Sequence, residues 1–118
     1  MADPADRKAQ TRAQFNALAA DYDAGPGCFA YFGRRLVAAA GIGAGQHVLD
    51  VAAGRGAVLF PAAEAIGRTG RIVGIDLADE MAQATNADAA QRNLNTKVDV
   101  GDAENLEFPA ETFDRVLC

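Results

Sequence analysis

The sequence has no long apolar run, no recognisable secretory signal and no excess of basic residues. None of its apolar stretches approaches the roughly 18–20 residues that a membrane-spanning helix needs, so we expect no membrane segment. The first ten residues, MADPADRKAQ, lack the apolar core of a secretory signal. The formal net charge of −5 argues against a nucleic-acid partner, because neutralising phosphates requires a basic patch.

Cysteine and histidine are also scarce. Cys28 and Cys118 lie far apart without metal-type spacing, which predicts reduced thiols, no metal site and a cytoplasmic location. The single histidine, His47, begins a predicted strand at the end away from the predicted ligand crevice, so we assign it no catalytic role. The scattered basic residues Lys8 and Arg12, together with Arg7, are interpreted as a solvated helix face rather than a binding site.

The 118 residues, half of them apolar, are typical of one globular domain. Apolar periodicity and turn residues predict helices over 6–22, 28–40, 57–66 and 79–93, and strands over 47–51, 71–75, 96–100 and 113–118. The Gly25-Pro26-Gly27 turn separates the first two helices, and Phe29, Phe32, Leu36 and Ala40 share one side of the second. Strands alternating with helices predict an α/β fold with a Rossmann-like parallel sheet behind two N-terminal helices.

The stretch VLDVAAGRGAV, residues 48–58, joins the first strand to the following helix through residues that have almost no side chains. Gly54 and Gly56 have no side chain, and the side chains of Ala52 and Ala53 are single methyl groups. At the carboxyl end of the first strand of an open α/β sheet, such a loop usually approaches a nucleotide-like ligand. A glycine turn needed only for packing remains the alternative.

Acidic residues at the ends of three successive strands favour the ligand interpretation. Asp76 ends the second strand twenty residues after Gly56, a spacing suited to accepting hydrogen bonds from both hydroxyls of a ribose. We consider a capping role for Asp76 weak, because Asp79 is better placed to cap the next helix. Asp102 follows the third strand and can accept a bond from an exocyclic amine. Asp50 would repel a pyrophosphate and instead suits a ligand with a cationic end.

Four motifs together resemble a known family. VLDVAAGRG, GIDLADEM, GDAENLEFP and FDRVLC are similar to the first four motifs of class I S-adenosylmethionine-dependent methyltransferases, especially the branch around ubiquinone and menaquinone biosynthesis. The resemblance covers residues 46–118, with a looser match to the lid-like segment FNALAADYD upstream. It implies S-adenosylmethionine as cofactor, a small-molecule acceptor and an enzyme that transfers a methyl group.

The resemblance also implies a role for individual residues. The methionine end of the cofactor would lie among Asp50, Ala52, Ala53, Gly54, Gly56 and Cys118. The ribose and adenine would lie against Asp76, Leu77, Met81, Asp102 and Ala103. Tyr22, in the lid-like segment, would close over the cofactor. No catalytic residue is assigned.

The sequence departs from the family in two respects. Ala52 replaces the first glycine of the usual loop, a substitution expected to cost little. The family also continues beyond a fourth strand, so we expect residues 1–45 to form a helical lid segment and residues 46–118 a cofactor-binding half-domain. The fourth strand would then be an apolar edge containing Phe113, Val116 and Leu117. The chain would be an excerpt of a longer protein, would pair with a second copy, or would bind a complementing C-terminal half.

Two other functions remain open at this point. An NAD(P)-binding oxidoreductase domain uses a similar loop, although Asp50 and the GDAENLEFP segment argue against it. A non-catalytic interaction module could keep the fold without an acceptor site.

Overall fold

The helices and strands follow one another in the order that the sequence predicts. The computed structural model describes residues 1–25 and 27–118, so Pro26 of the predicted Gly25-Pro26-Gly27 turn lies outside the described residues. The elements are α1 (Pro4–Leu18), α2 (Cys28–Ala39), β1 (His47–Val51), α3 (Leu59–Ile66), β2 (Arg71–Asp76), α4 (Asp79–Gln91), β3 (Thr96–Val100) and β4 (Arg115–Leu117).

The four strands form one parallel sheet in the order β3-β2-β1-β4. In the register of the sheet, Asp50 lies between Gly74 of β2 and Leu117 of β4. Because all the strands run in the same direction, the loops that follow β1, β2 and β3 meet at one edge of the sheet. The predicted Rossmann-like α/β fold is confirmed.

The two faces of the sheet are covered differently. On one face, Val48 and Ile72 belong to the main hydrophobic core, which also contains residues from α2, α3 and α4. On the other face, Leu49 and Ile75 are buried beneath Phe108 and its neighbour Phe113. The rings of these two phenylalanines meet edge to face at 5.1 Å, an arrangement that aromatic pairs favour. A loop therefore covers the face that carries no helix in the described part of the chain.

The first helix is shorter than predicted. It ends at Leu18 instead of residue 22, and the following residues form turns. Because the chain leaves the helix there, Tyr22 can stack on Phe29, with ring centroids 5.2 Å apart and planes 6° apart. At this end of the helix, Ala19 is buried whereas Leu18 is 51% exposed.

The second helix uses a different face from the one predicted. Its buried residues are Gly33 and Val37, whereas Phe29, Phe32 and Leu36 are exposed. A Cβ at position 33 would overlap the carbonyl oxygen of Ala57, so the missing side chain lets α2 lie directly against the loop before α3. The close approach of two backbones, and not the size of the apolar side chains, selects the buried face.

Most of the remaining boundaries differ from the prediction by one or two residues, and the starts of α3 and β4 have a structural reason. Helix α3 begins at Leu59 rather than at residue 57, which places Pro61 in its first turn, where proline is tolerated. Strand β4 begins at Arg115, because Phe113 turns to pack on Phe108. The predicted apolar edge is correspondingly smaller, since Leu117 is only 6% exposed.

Candidate functional site

The glycine loop turns sharply because several of its residues adopt left-handed backbone conformations. Gly54 and Gly56 have φ values of +53° and +89°, and Ala52 has a φ of +59°. A residue with a side chain pays roughly 1–2 kcal/mol for this conformation. Our expectation that alanine at position 52 costs little is therefore wrong, because this position favours glycine.

Both polar backbone groups of Gly54 are held by side chains. Its N–H donates to Oδ2 of Asp76 over 2.8 Å, and its carbonyl accepts from the Thr85 hydroxyl over 2.6 Å. Thr85 is fully buried on α4. The loop is thus fixed in shape before any ligand arrives. Sequence reasoning missed Thr85, because a lone threonine in an alanine-rich helix gives no distinguishing signal.

Asp76 joins two loops at the carboxyl end of β2. Besides the Gly54 bond, its Oδ1 accepts from the Ala78 N–H over 2.9 Å. Ala78 is the N-cap of α4 and makes no side-chain capping bond, so our preference for Asp79 as the cap is wrong. The Asp79 carboxylate instead accepts a bond from Asn16 of α1, which lowers its pKa. Each oxygen of Asp76 retains a lone pair for a further donor.

Asp50 is the most deeply buried carboxyl group of the site. It is 1% exposed, and its Oδ2 has no hydrogen-bond partner among the described residues. Burial, and to a smaller extent the nearby Asp76 carboxylate, raise its pKa to about 7, although the hydrogen bond from the backbone N–H of Leu59 partly opposes the rise. A buried carboxyl with a free oxygen is stabilised in its charged form by any cation that reaches it.

Asp102 lies at the corresponding place after β3. Its Oδ1 accepts from the Glu104 N–H over 2.9 Å, and its Oδ2 pairs with the Lys8 ammonium over 2.6 Å. The hydrogen bond from Lys8 lowers the pKa of Asp102 and raises that of Lys8. Lys8 also pairs with Glu104. Our interpretation of the basic residues of α1 as a solvated face is therefore wrong for Lys8.

Further polar contacts attach α1 to the loop after β2. Arg12 donates from Nε to the Leu77 carbonyl over 3.1 Å. Asn16 donates to the Asp79 carboxylate over 2.9 Å and accepts from the Glu80 N–H over 3.0 Å. None of the residues of α1 is buried, so these side chains, rather than an apolar face, place the helix over the site.

Two adjoining cavities contain all the residues that the resemblance implied. One has a volume of about 670 Å³ and the other about 340 Å³. The larger is lined by Asp50, Ala53, Gly56 and Cys118, and the smaller by Asp76, Leu77, Met81, Asp102 and Ala103. Tyr22, Ala52 and Gly54 line both.

Tyr22 lies over the glycine loop at the junction of the two cavities. A Cβ placed on Gly54 would come within 3.9 Å of Cε1 of Tyr22. The ring is itself flanked by Phe29, which stacks on it, and by Phe15, whose centroid is 6.0 Å away. A ligand that extends from Asp50 to Asp102 must therefore pass beneath or beside Tyr22.

The structure adds an arginine that sequence reasoning did not single out. Arg55, the middle residue of Gly54-Arg55-Gly56, is 13% exposed and pairs with Asp88 of α4 over 2.7 Å. Its guanidinium also donates to the Ala19 carbonyl. A charged residue among small ones in the loop was a signal that we left unused. His47 lies at the amino end of β1, far along the strand from this loop, as expected.

Comparison with known proteins agrees with this geometry. Residues 48–118 match the family model described as "Methyltransferase domain". The chain belongs to the methyltransferase-domain family. The resemblance to class I S-adenosylmethionine-dependent methyltransferases is thereby confirmed.

Three curated relatives are similar to the chain. It is 49% identical to nocamycin O-methyltransferase of Saccharothrix syringae over 86% of the chain and 37% of that protein. It is 42% identical to an aklanonic acid methyltransferase of Streptomyces sp. (strain C5), over 93% of the chain and 51% of that protein. It is 31% identical to a ubiquinone/menaquinone biosynthesis C-methyltransferase of Marinomonas sp., over 94% of the chain and 47% of that protein. The chain thus spans about half, or less, of the length of these relatives.

Solved structures show the same fold. A SAM-dependent methyltransferase from Aquifex aeolicus superposes with a TM-score of 0.68 at 21% identity, covering 89% of this chain and 54% of that one. Coclaurine N-methyltransferase, solved with N-methylheliamine and SAH, superposes with a TM-score of 0.65 at 27% identity, covering 75% of this chain and 26% of that one. Within residues 1–25 and 27–118, no helix has the length and apolarity required to cross a membrane.

Proposed function

We propose that the chain is the cofactor-binding part of an enzyme that transfers a methyl group from S-adenosylmethionine to a small-molecule acceptor. The observation that carries the proposal is the meeting of the glycine loop, Asp50, Asp76 and Asp102 around two joined cavities. The names of the curated relatives, which include O- and C-methyltransferases, support the same reaction class.

The residues present fit this cofactor. S-Adenosylmethionine supplies a methyl group already activated on a cationic sulfonium, and it also carries an ammonium. The buried oxygen of Asp50 without a partner offers a negative charge where such a cation would be stabilised. A dinucleotide brings a pyrophosphate to the glycine loop, and ionised Asp50 would repel it. The fit therefore favours the sulfonium cofactor over NAD(P).

We assign the two ends of the cofactor to the two cavities. Asp50, the loop residues Ala52, Ala53, Gly54 and Gly56, and Cys118 would surround the aminocarboxypropyl end. Asp76 would bind both ribose hydroxyls, Leu77 and Met81 would contact the adenine, and Asp102 with the Ala103 amide would bind the adenine amine. Tyr22 would cover the middle of the cofactor.

The larger cavity would also hold the acceptor. Phe29 and Phe32 line it and are 47% and 66% exposed, which is unusual for side chains of this size. An apolar acceptor placed against them would remove this surface from water. Enclosing the acceptor there would align it with the methyl group and exclude competing water.

Residues 1–45 are proposed to act as a lid, because the polar contacts of α1 span the loops that follow β2 and β3. The outer side of β4 is proposed to pair with further strands, supplied by the rest of a longer protein, by a second copy or by a complementing C-terminal half. A cytoplasmic location is proposed because both cysteines are free thiols.

Calorimetric titration with S-adenosylhomocysteine and, separately, with NADH tests the function. We expect binding of the first only, and a loss of about tenfold or more in Asp76→Ala, because hydrogen bonds to a charged group are worth about 1.5–3 kcal/mol. Asp99→Ala is the matched control, since Asp99 lies on the neighbouring strand β3 and lines neither cavity. Preference for NADH, or equal losses in the two variants, would contradict the proposal.

A further inference from the structure

Arg55 connects three parts of the molecule that are distant in sequence. It belongs to the glycine loop, its Nη2 pairs with Asp88 of α4 over 2.7 Å, and its Nη1 donates to the carbonyl of Ala19 at the end of α1. The side chain is 13% exposed, so most of this contact is shielded from water. A charge-assisted bond in such surroundings is stronger than one at the surface.

The end of α1 needs such a partner. The last carbonyls of a helix accept no hydrogen bond from an N–H of the same helix and carry partial negative charge, which a cation stabilises. Helix α1 has no basic residue in its last turn. Arg55 reaches across from the glycine loop to supply the missing cation from outside the helix. The cofactor loop thereby holds the C-terminal end of the proposed lid.

The position of Ala19 determines where Tyr22 can lie. Ala19 is 4% exposed and packs with Ala78 and Met81, and Tyr22 joins the same cluster three residues later. With Ala19 fixed from one side by this cluster and from the other by Arg55, the turn delivers Tyr22 over Gly54. Without the guanidinium, the turn would lose its polar connection to the glycine loop and would be held by the apolar contacts of Ala19 and the aromatic contacts of Tyr22.

We propose that Arg55 is a positioning residue that couples the glycine loop to the lid and sets Tyr22 over the cofactor path. This inference rests on the proposed cofactor function. It assigns no contact between Arg55 and either reactant. Its effect on ligand binding is expected to pass through Tyr22, and the Tyr22 environment can be measured with no cofactor present.

The chain offers a clean reporter of Tyr22. It has no tryptophan and two tyrosines, and the other one, Tyr31, is 49% exposed and lines neither cavity. In a Tyr31→Phe background, all tyrosine fluorescence comes from Tyr22, and acrylamide quenching reports its accessibility. We expect Arg55→Met to raise the quenching constant about twofold or more, because the segment opens locally.

The same variants are titrated with S-adenosylhomocysteine. Affinity should fall about tenfold in Arg55→Met, within the usual range of coupling between sites. Arg55→Lys keeps the charge but cannot reach both acceptors, so it should restore affinity in part. Arg92→Met is the matched control for the quenching measurement without ligand, because Arg92 lines the same cavity but stacks over Phe60 at 4.2 Å, away from Ala19.

Circular dichroism establishes that each variant is folded. Asp88→Asn provides a second test, because it removes the ion pair and leaves the Ala19 bond in place. We expect it to raise the Tyr22 quenching constant less than Arg55→Met does. Unchanged Tyr22 quenching in folded Arg55→Met, or an equal change in Arg92→Met, overturns the inference. If even the parent chain fails to bind S-adenosylhomocysteine, the proposed function fails, and the quenching result still decides the role of Arg55 in placing Tyr22.

Discussion

Replacing Asp50 with asparagine should make the protein more stable above about pH 4, by an amount that grows as the pH rises to about 7. Asp50 is 1% exposed and its Oδ2 has no partner among the described residues, so ionising it in the folded protein is costly. Its pKa is raised from 3.8 to about 7. Between these values the folded protein retains a proton that the unfolded chain has released, so the free energy of unfolding falls as the pH rises.

The magnitude follows from the two pKa values. One pKa unit is worth roughly 1.4 kcal/mol, so ionisation of Asp50 costs the folded state up to about 4 kcal/mol above neutral pH. Asparagine has nearly the same shape and resembles the protonated acid. The variant and the parent should therefore unfold with similar free energies only near or below pH 3.8. At about pH 5 Asp50→Asn should be more stable by about 1–2 kcal/mol, and at about pH 8.5 by about 4 kcal/mol.

Urea unfolding followed by circular dichroism at several pH values measures this difference. Asp99→Asn serves as the control, because Asp99 is an exposed aspartate on β3. A stability difference between Asp50→Asn and the parent that does not change with pH, or that shrinks as the pH rises, would refute the assignment of a buried, unpaired carboxyl. Addition of S-adenosylhomocysteine extends the test: its ammonium favours ionised Asp50, so affinity should rise through about pH 7 in the parent and stay flat in the variant.

Three backbone-related substitutions follow from the packing of the loop and of α2. Gly33→Ala should destabilise the protein by about 3 kcal/mol or more, because the new Cβ overlaps a backbone carbonyl oxygen; thermal unfolding measures the loss. Thr85→Val should cost about 1–3 kcal/mol in urea unfolding, because the buried Gly54 carbonyl loses its donor. Ala52→Gly should raise the unfolding free energy by about 0.5–1 kcal/mol, because the residue is left-handed at φ +59°.

Each of these three substitutions has a control variant or an outcome that would contradict it. Gly25→Ala places its Cβ in open space and should change stability little, so an equal loss at positions 25 and 33 would contradict the packing argument. Thr11→Val removes a hydroxyl on exposed α1 and should have no comparable effect. A decrease in stability on introducing glycine at position 52 would mean that the flexibility of the unfolded chain outweighs the backbone strain.

The sequence predicted the sheet well because its signals are local. Short β-branched runs such as His47–Val51 and Thr96–Val100 appear in the structure with the predicted bounds. The acids at the strand ends were also found, because the end of a parallel strand fixes where its last side chains go. Prediction succeeded for these features because they depend mainly on residues adjacent in the chain.

Prediction failed where distant segments meet. The buried face of α2 is decided by contact of Gly33 with the loop before α3, which hydrophobic periodicity does not register. Lys8 appeared to be an ordinary solvated residue, because its partner Asp102 is 94 residues away. Arg55 and Thr85 gain their importance from Ala19 and Gly54 in the same way. Such contacts become visible only once the chain is folded.

The polar attachment of α1 has a consequence for how the molecule comes apart. The helix buries none of its own residues, and Lys8, Arg12 and Asn16 hold it through contacts with little or partial burial. Salt screens interactions between exposed charges over about 8 Å at physiological ionic strength, whereas apolar burial in the sheet is not screened. We therefore expect the N-terminal helix to open without unfolding the sheet, and to do so more readily as the salt concentration rises.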